Sequence, residues 1–195
     1  MTTRTPWTAT ILDVPTTQPA AVARSIGTSL ALAAIFGAAM GARYGELSMA
    51  VHAVGVPLGL AAVIAIGGPA FFVGCAHAGV AIGPRDLLRS LTAGLATSGL
   101  VLAGSSPAML LVGVSAETPF GAGAVAGAGL ALGGLVGLRR ALVDMGGALK
   151  EGGVAARLAA WSFGAFAVVL ATRIWWLALP ALGRPLLEGT LGGAS

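Results

Sequence analysis

The sequence predicts an all-α fold, a polytopic transmembrane bundle of five helices. Three observations carry this. Hydrophobic residues fill 56% of 195 positions and charged residues 9%, where a soluble domain carries about 25% charged residues; mean hydropathy is +0.91. The apolar residues fall into five long runs, parted by short polar or glycine-rich breaks. The charges collect in and beside those breaks, eleven Lys and Arg against seven Asp and Glu. So little charge cannot coat a surface in water, so lipid must cover much of it. Six helices are the alternative, with the second run and residues 76–90 together crossing twice.

Residues 1–24 are polar and punctuated by Pro6, Pro15 and Pro19. This reads as a cytoplasmic or interfacial N-terminal segment. Trp7, Ile11, Leu12 and Val14 offer a short apolar patch to the membrane interface. The prolines and the long polar lead do not fit a secretory signal. A five-helix domain over 25–182 follows. Its first span, 25–42, is eighteen residues without charge, near the lower limit for crossing about 30 Å of hydrocarbon. Arg43, Tyr44 and Glu46 mark its end. The second span, 51–75, contains Pro57 and Pro69, which membrane helices tolerate when neighbours satisfy the freed carbonyls.

Gly83-Pro84 breaks the loop 76–90, and Asp86-Leu87-Leu88-Arg89 opens an interfacial helix that feeds the third span, 91–114. Pro107 is a candidate bend in it. The turn at Glu117, Thr118 and Pro119 is so short that the third and fourth helices must be antiparallel neighbours. The fourth span is 121–138. Gly146-Gly147 and Gly152-Gly153 break the charged loop 139–157. The fifth span, 158–179, ends at Pro180, and 183–195 is a short external tail.

The fourth span reads GAGAVAGAGLALGGLVGL, eighteen uncharged residues ahead of Arg139-Arg140. Positions four apart share a helix face, so Gly129, Gly133 and Gly137 form one stripe, and Gly123 and Gly127 repeat the spacing. Gly37 and Gly41 do the same in the first span. In water such a run weakens a helix. In lipid, small residues let backbones approach, and packing drives association. The glycine helix is therefore expected to be the one the others pack around.

Five spans place Arg4, Arg24, Arg85, Arg89, Arg139, Arg140, Lys150 and Arg157 on one side, and Arg43, Arg173 and Arg184 on the other. Eight basic residues against three put the N-terminus in the cytoplasm and the C-terminus outside. Arg139 and Arg140 are the topology-determining pair. The Ala, Gly and Arg bias with a single Lys points to a GC-rich genome and a bacterial cytoplasmic (inner) membrane.

Little in the chain carries chemistry. Arg173 is the one charge well inside a span, and intramembrane charges are functional candidates by default. It stands beside Trp175 and Trp176, which fit an aromatic belt. These three are candidates for a lipid or anion contact, with simple snorkelling of Arg173 the competing reading. No acid lies within a span, which argues against an ion-coupled carrier.

His52 and His77 lie at opposite ends of the second span, and Cys75-Ala76-His77 offers two ligands where a metal needs more. Neither a metal nor a cofactor is expected. One cysteine excludes an internal disulfide. Gly113-Val114-Ser115-Ala116 is faintly like the nucleophile region of intramembrane serine proteases, but both histidines precede it and no partner follows. No phosphate loop, acid pair or zinc motif is present, and the basic residues form no nucleic-acid face. Neither an enzyme nor a nucleic-acid binder is expected.

The layout resembles the Yip1-like family of five-span membrane proteins and its bacterial members. The shared features are a proline-bearing N-terminal segment, five closely spaced helices and an outside C-terminus. Leu87–Pro107 resembles that family's third helix, and Arg139–Leu142 the basic end of its fourth. The resemblance covers roughly residues 11–182 and implies action through helix contacts, with no active site to carry over.

The expectation is a non-enzymatic integral membrane protein that binds or organises partners within the bilayer through glycine-rich helix faces. Its partners would be membrane lipids, other membrane proteins or itself. The alternative is a component of a transporter or channel for a small or anionic solute.

Overall fold

The computed structural model describes residues 19–116 and 118–178. The described residues form an all-α bundle with no strand. Helix α1 runs Pro19–Gly41, followed by a 3-10 turn, Ala42–Tyr44. Helix α2 is Glu46–His77, α3 Pro84–Ser115, α4 Pro119–Asp144, α5 Gly146–Glu151 and α6 Gly153–Ala178. All but α5 are long and apolar enough to cross a membrane. The chain is built as an integral membrane protein.

The order of the elements follows from local chemistry. Gly45, at φ 93°, takes the left-handed conformation that turns the chain from the 3-10 segment into α2. Proline opens α3 at Pro84 and α4 at Pro119, where its missing N–H removes no helix bond. Thr118 caps α4, its hydroxyl accepting from the Gly121 N–H at 3.2 Å. Pro57, Pro69 and Pro107 lie inside α2 and α3, which continue through them as helix.

Several boundaries differ from the sequence expectation. Residues 19–24, expected to belong to the N-terminal segment, are the first turns of α1. The expected interfacial helix at Asp86–Arg89 is continuous with α3. The 139–157 loop is mostly helix: α4 runs on to Asp144 and α5 fills the centre. The breaks fall at Met145 and Gly152, each beside one of the predicted glycine pairs. Residues 1–18, with Arg4, Trp7, Ile11, Leu12 and Val14, lie outside the described residues. So do Glu117 and everything from Leu179 on, with Pro180, Arg184 and the tail 183–195.

The helices close most of a ring. α3 packs along both α1 and α4, α1 also packs on α2, and α2 carries α6. Between α4 and α6 the contact is slight, and the ring is open there. The expectation that the others pack around α4 is corrected: α1 and α3 each pack along two neighbours, and Leu91 through Ala96 of α3 are all buried. Six consecutive buried residues leave that stretch of α3 no free face. Gly94, Ser98 and Gly99 keep α3 slim enough for two neighbours to close on it.

Two apolar clusters fill the interior. One joins Phe36 and Met40 of α1, Val56 and Leu60 of α2, Leu95 and Leu102 of α3, Leu130 of α4 and Trp175 of α6. The other lies at the basic end and joins Phe71 and Cys75, Leu87 and Leu91, Ala141 and Met145, Leu149 and Phe163. There the Phe71 and Phe163 rings stack with centroids 4.4 Å apart, tying α6 to α2.

Candidate functional site: an apolar cleft between α4 and α6

The glycines divide into two groups. Those at the α1–α2 turn close a hairpin. A Cβ on Gly41 would stand 2.6 Å from the Met49 Cα, and one on Gly37 would strike the His52 carbonyl. The stripe on α4 is divided between two neighbours. Gly129 faces the Phe36 ring of α1, 2.7 Å from where its Cβ would be, and Gly133 faces Leu102 of α3 at the same distance. Gly137 meets Gly94 and Ser98 of α3. Backbone-to-backbone approach of this kind leaves no room for a side chain. Gly129 and Gly133 face inward, away from any external partner, while Gly137, packed on α3, also lines the edge of the cleft described next.

Gly123 and Gly127, with Gly134, face the other way. They line a cleft of about 410 Å³ between α4 and α6. Its floor is Leu60 and Ile64 of α2 and Leu91 and Leu95 of α3; Val168, Ala171 and Trp176 stand on the α6 wall. Along α4 the lining runs from Phe120 to Ala141, about 30 Å at the rise of an α-helix. At the basic end Phe163 and Ala141 join Leu91 in lining it. Its lining is almost wholly carbon.

Trp175 holds the cleft floor together. It is 7% exposed. Its Nε1 edge lies against Gly59 of α2, and its far edge reaches Gly134 of α4, 4.0 Å from that residue's Cβ position. Gly59 is thirteen residues into α2, about 20 Å from the helix start. The expectation that Trp175 sits in an aromatic belt and touches lipid is therefore corrected: it is a buried tie between α2, α4 and α6. Helical spacing could not show this, because α6 is apolar all round. Its Nε1 has no hydrogen-bond partner among the described residues.

Trp176 lines the cleft and is partly exposed; Arg173 is exposed on the outer face of α6. Arg139 is exposed beside the cleft, directly after the lining residue Leu138, while Arg140 pairs with Asp144 at 3.2 Å. The structure thus brings Gly123, Gly127 and Trp176 together, and separates them from Arg173 and from the inward glycine stripe.

The residues with catalytic potential stand apart. His52 is fully buried, and its Nδ1 lies 2.7 Å from the Ser48 carbonyl oxygen. His77 is exposed at the far end of the same helix. Cys75 is buried in the basic-end cluster. Among the described residues no three His, Cys, Asp or Glu side chains converge to hold a metal. Ser115 donates to the Leu111 carbonyl on its own helix.

Sequence reasoning missed Arg43 as a structural residue. From the α1–α2 turn its guanidinium donates to the carbonyls of Gly113, at 3.0 Å, and Ala116. It thereby caps the C-terminal end of α3, where the helix dipole is negative. It also missed Gly59, Gly94 and Gly99, although Gly94 and Ser98 have the four-residue spacing that gave Gly133 and Gly137 away. Comparison with protein families, with curated proteins and with solved structures gives no match.

Proposed function

We propose that this chain is a non-enzymatic membrane protein that binds a partner within the bilayer through the glycine-lined cleft between α4 and α6. The observation that carries the reading is the division of the α4 glycines. One set is occupied by α1 and α3, and the other, Gly123, Gly127 and Gly134, lines space that no helix of the chain fills. Small residues at an unfilled membrane-facing position are what close helix or lipid contacts need. The Yip1-like layout adds the expectation of action through helix contacts. The excess of basic residues at the end bearing the 78–83 and 145–152 connections supports a cytoplasmic location for that end, and the Ala, Gly and Arg bias supports a bacterial inner membrane.

A photo-crosslinking side chain at Ala124, on the cleft wall, tests this in native membranes. A discrete adduct, lipid or protein, is expected there and not from Val169, which is exposed on the outer face of α6. Identical smears from both positions would sink the reading.

A further inference from the structure

We infer that the occupant of the cleft is a single anionic glycerophospholipid, its acyl chain between α4 and α6 and its phosphate at Arg139 and Arg157; this rests on the cleft being the partner site. The size comes first. The cleft offers about 410 Å³, inside the range of roughly 300–1,000 Å³ of small-ligand pockets. A hydrocarbon chain suits a carbon-lined space of this size.

The charge comes second. Leu138 of α4 lies 3.5 Å from the Cβ position of Gly164 on α6, so the two walls meet there. Arg139 is the next residue on α4. Arg157 is seven residues before Gly164, close to two turns, and so on the same face of α6. Both arginines are exposed, as is Lys150 on the α5 connection between the walls. Among the described residues the one ion pair is Arg140–Asp144, which involves none of them. The base of the seam therefore presents guanidinium groups whose geometry suits a phosphate.

The two parts of the ligand contribute differently. A chain leaving the bilayer for a carbon-lined cleft gains no hydrophobic free energy, because lipid tails are equally apolar. The cleft admits chains without choosing among lipids. Selection falls to the arginines, each worth about 1 kcal/mol toward an anionic lipid.

The test uses the full chain, purified in detergent, equilibrated with equimolar phosphatidylglycerol and phosphatidylcholine and then washed. The wild type is expected to retain one lipid per chain, enriched in phosphatidylglycerol by roughly thirtyfold, the sum of two such charges. In R139Q/R157Q the enrichment vanishes while a lipid is still retained; R139K/R157K keeps most of it. Ala131 lines the cleft and is exposed, so Ala131→Trp puts a ring into the space and loses both lipids. Unchanged helicity and a monodisperse profile establish that each variant is folded.

Wild-type lipid in the bulk ratio overturns the inference, as does enrichment that survives R139Q/R157Q or retention that survives Ala131→Trp. Bulk-ratio lipid together with a protein adduct at Ala124 rejects the lipid and leaves the cleft as a partner site. Bulk-ratio lipid and no adduct rejects both.

Discussion

Gly94 of α3 and Gly137 of α4 meet backbone to backbone. A Cβ on Gly94 would stand 2.8 Å from the Gly137 carbonyl oxygen, and one on Gly137 2.6 Å from that of Gly94. Neither carbonyl can swing aside as a flexible side chain would. Gly94→Ala and Gly137→Ala should each destabilise the bundle by about 1–3 kcal/mol, the usual range for overpacking. Gly104, on the same helix, has nothing within 4 Å of its Cβ position. Gly104→Ala should leave stability unchanged or raise it by about 0.5–1 kcal/mol. Unfolding of the three variants in mixed micelles checks the contrast.

Arg43 holds the end of α3 by two carbonyls. Arg43→Ala should cost about 1.5–3 kcal/mol, as for hydrogen bonds from a charged donor. Both bonds come from one nitrogen, Nη1, and an ammonium also carries several donors, so Arg43→Lys should restore much of this, less what its shorter reach forfeits. Thermal inactivation of the fold, followed by circular dichroism in detergent, would register the order wild type, Lys, Ala.

Trp175 ties α6 to α2 and α4 through its ring. Trp175→Ala should cost about 3–5 kcal/mol and free α6 for proteolysis near its C-terminal end. Trp175→Phe should cost much less. It retains a ring, and the lost Nε1 has no partner among the described residues, so no hydrogen bond goes with it. Comparable damage from both would show that the indole nitrogen matters.

Cys75, buried in the basic-end cluster, should resist a maleimide in the folded protein and react fully once the protein is denatured in SDS. Rapid labelling without denaturant would contradict the packing of Phe71, Met145 and Leu149 around it.

With five crossings, the excess of arginine at one end predicts, by the positive-inside rule, a C-terminus outside the cell. A periplasm-active reporter fused after Ser195 should be active and a cytoplasm-active one silent. The reverse pattern would require an even number of crossings.

Helix number and order were legible because membrane spans are written as unbroken apolar runs, and Pro84, Pro119 and Gly152 punctuate them. The close packing at Gly37, Gly41, Gly133 and Gly137 was legible from spacing alone. The partner of each glycine was not. In lipid every apolar face is equally at ease, so periodicity does not say which neighbour a face seeks. Gly133 gave no sign of Leu102, and nothing in α6 marked Trp175 as buried and Trp176 as an exposed residue of the cleft wall. The cleft was the least legible feature, since it arises where α4 and α6 fail to touch.

That failure to touch has a consequence for how the protein is made. The contacts joining α1, α2, α3 and α4 all lie within the first 144 residues, so a complete four-helix unit exists while the rest of the chain is still on the ribosome. Chains assemble from the N-terminal end as they are synthesised. Helix α6 then docks onto a finished surface, through Phe163 on Phe71 and Trp175 on Gly59. Its arrival completes both apolar clusters, and a ribosome stalled with only α1–α4 emerged would display the contacts among those four helices but not Phe163 or Trp175.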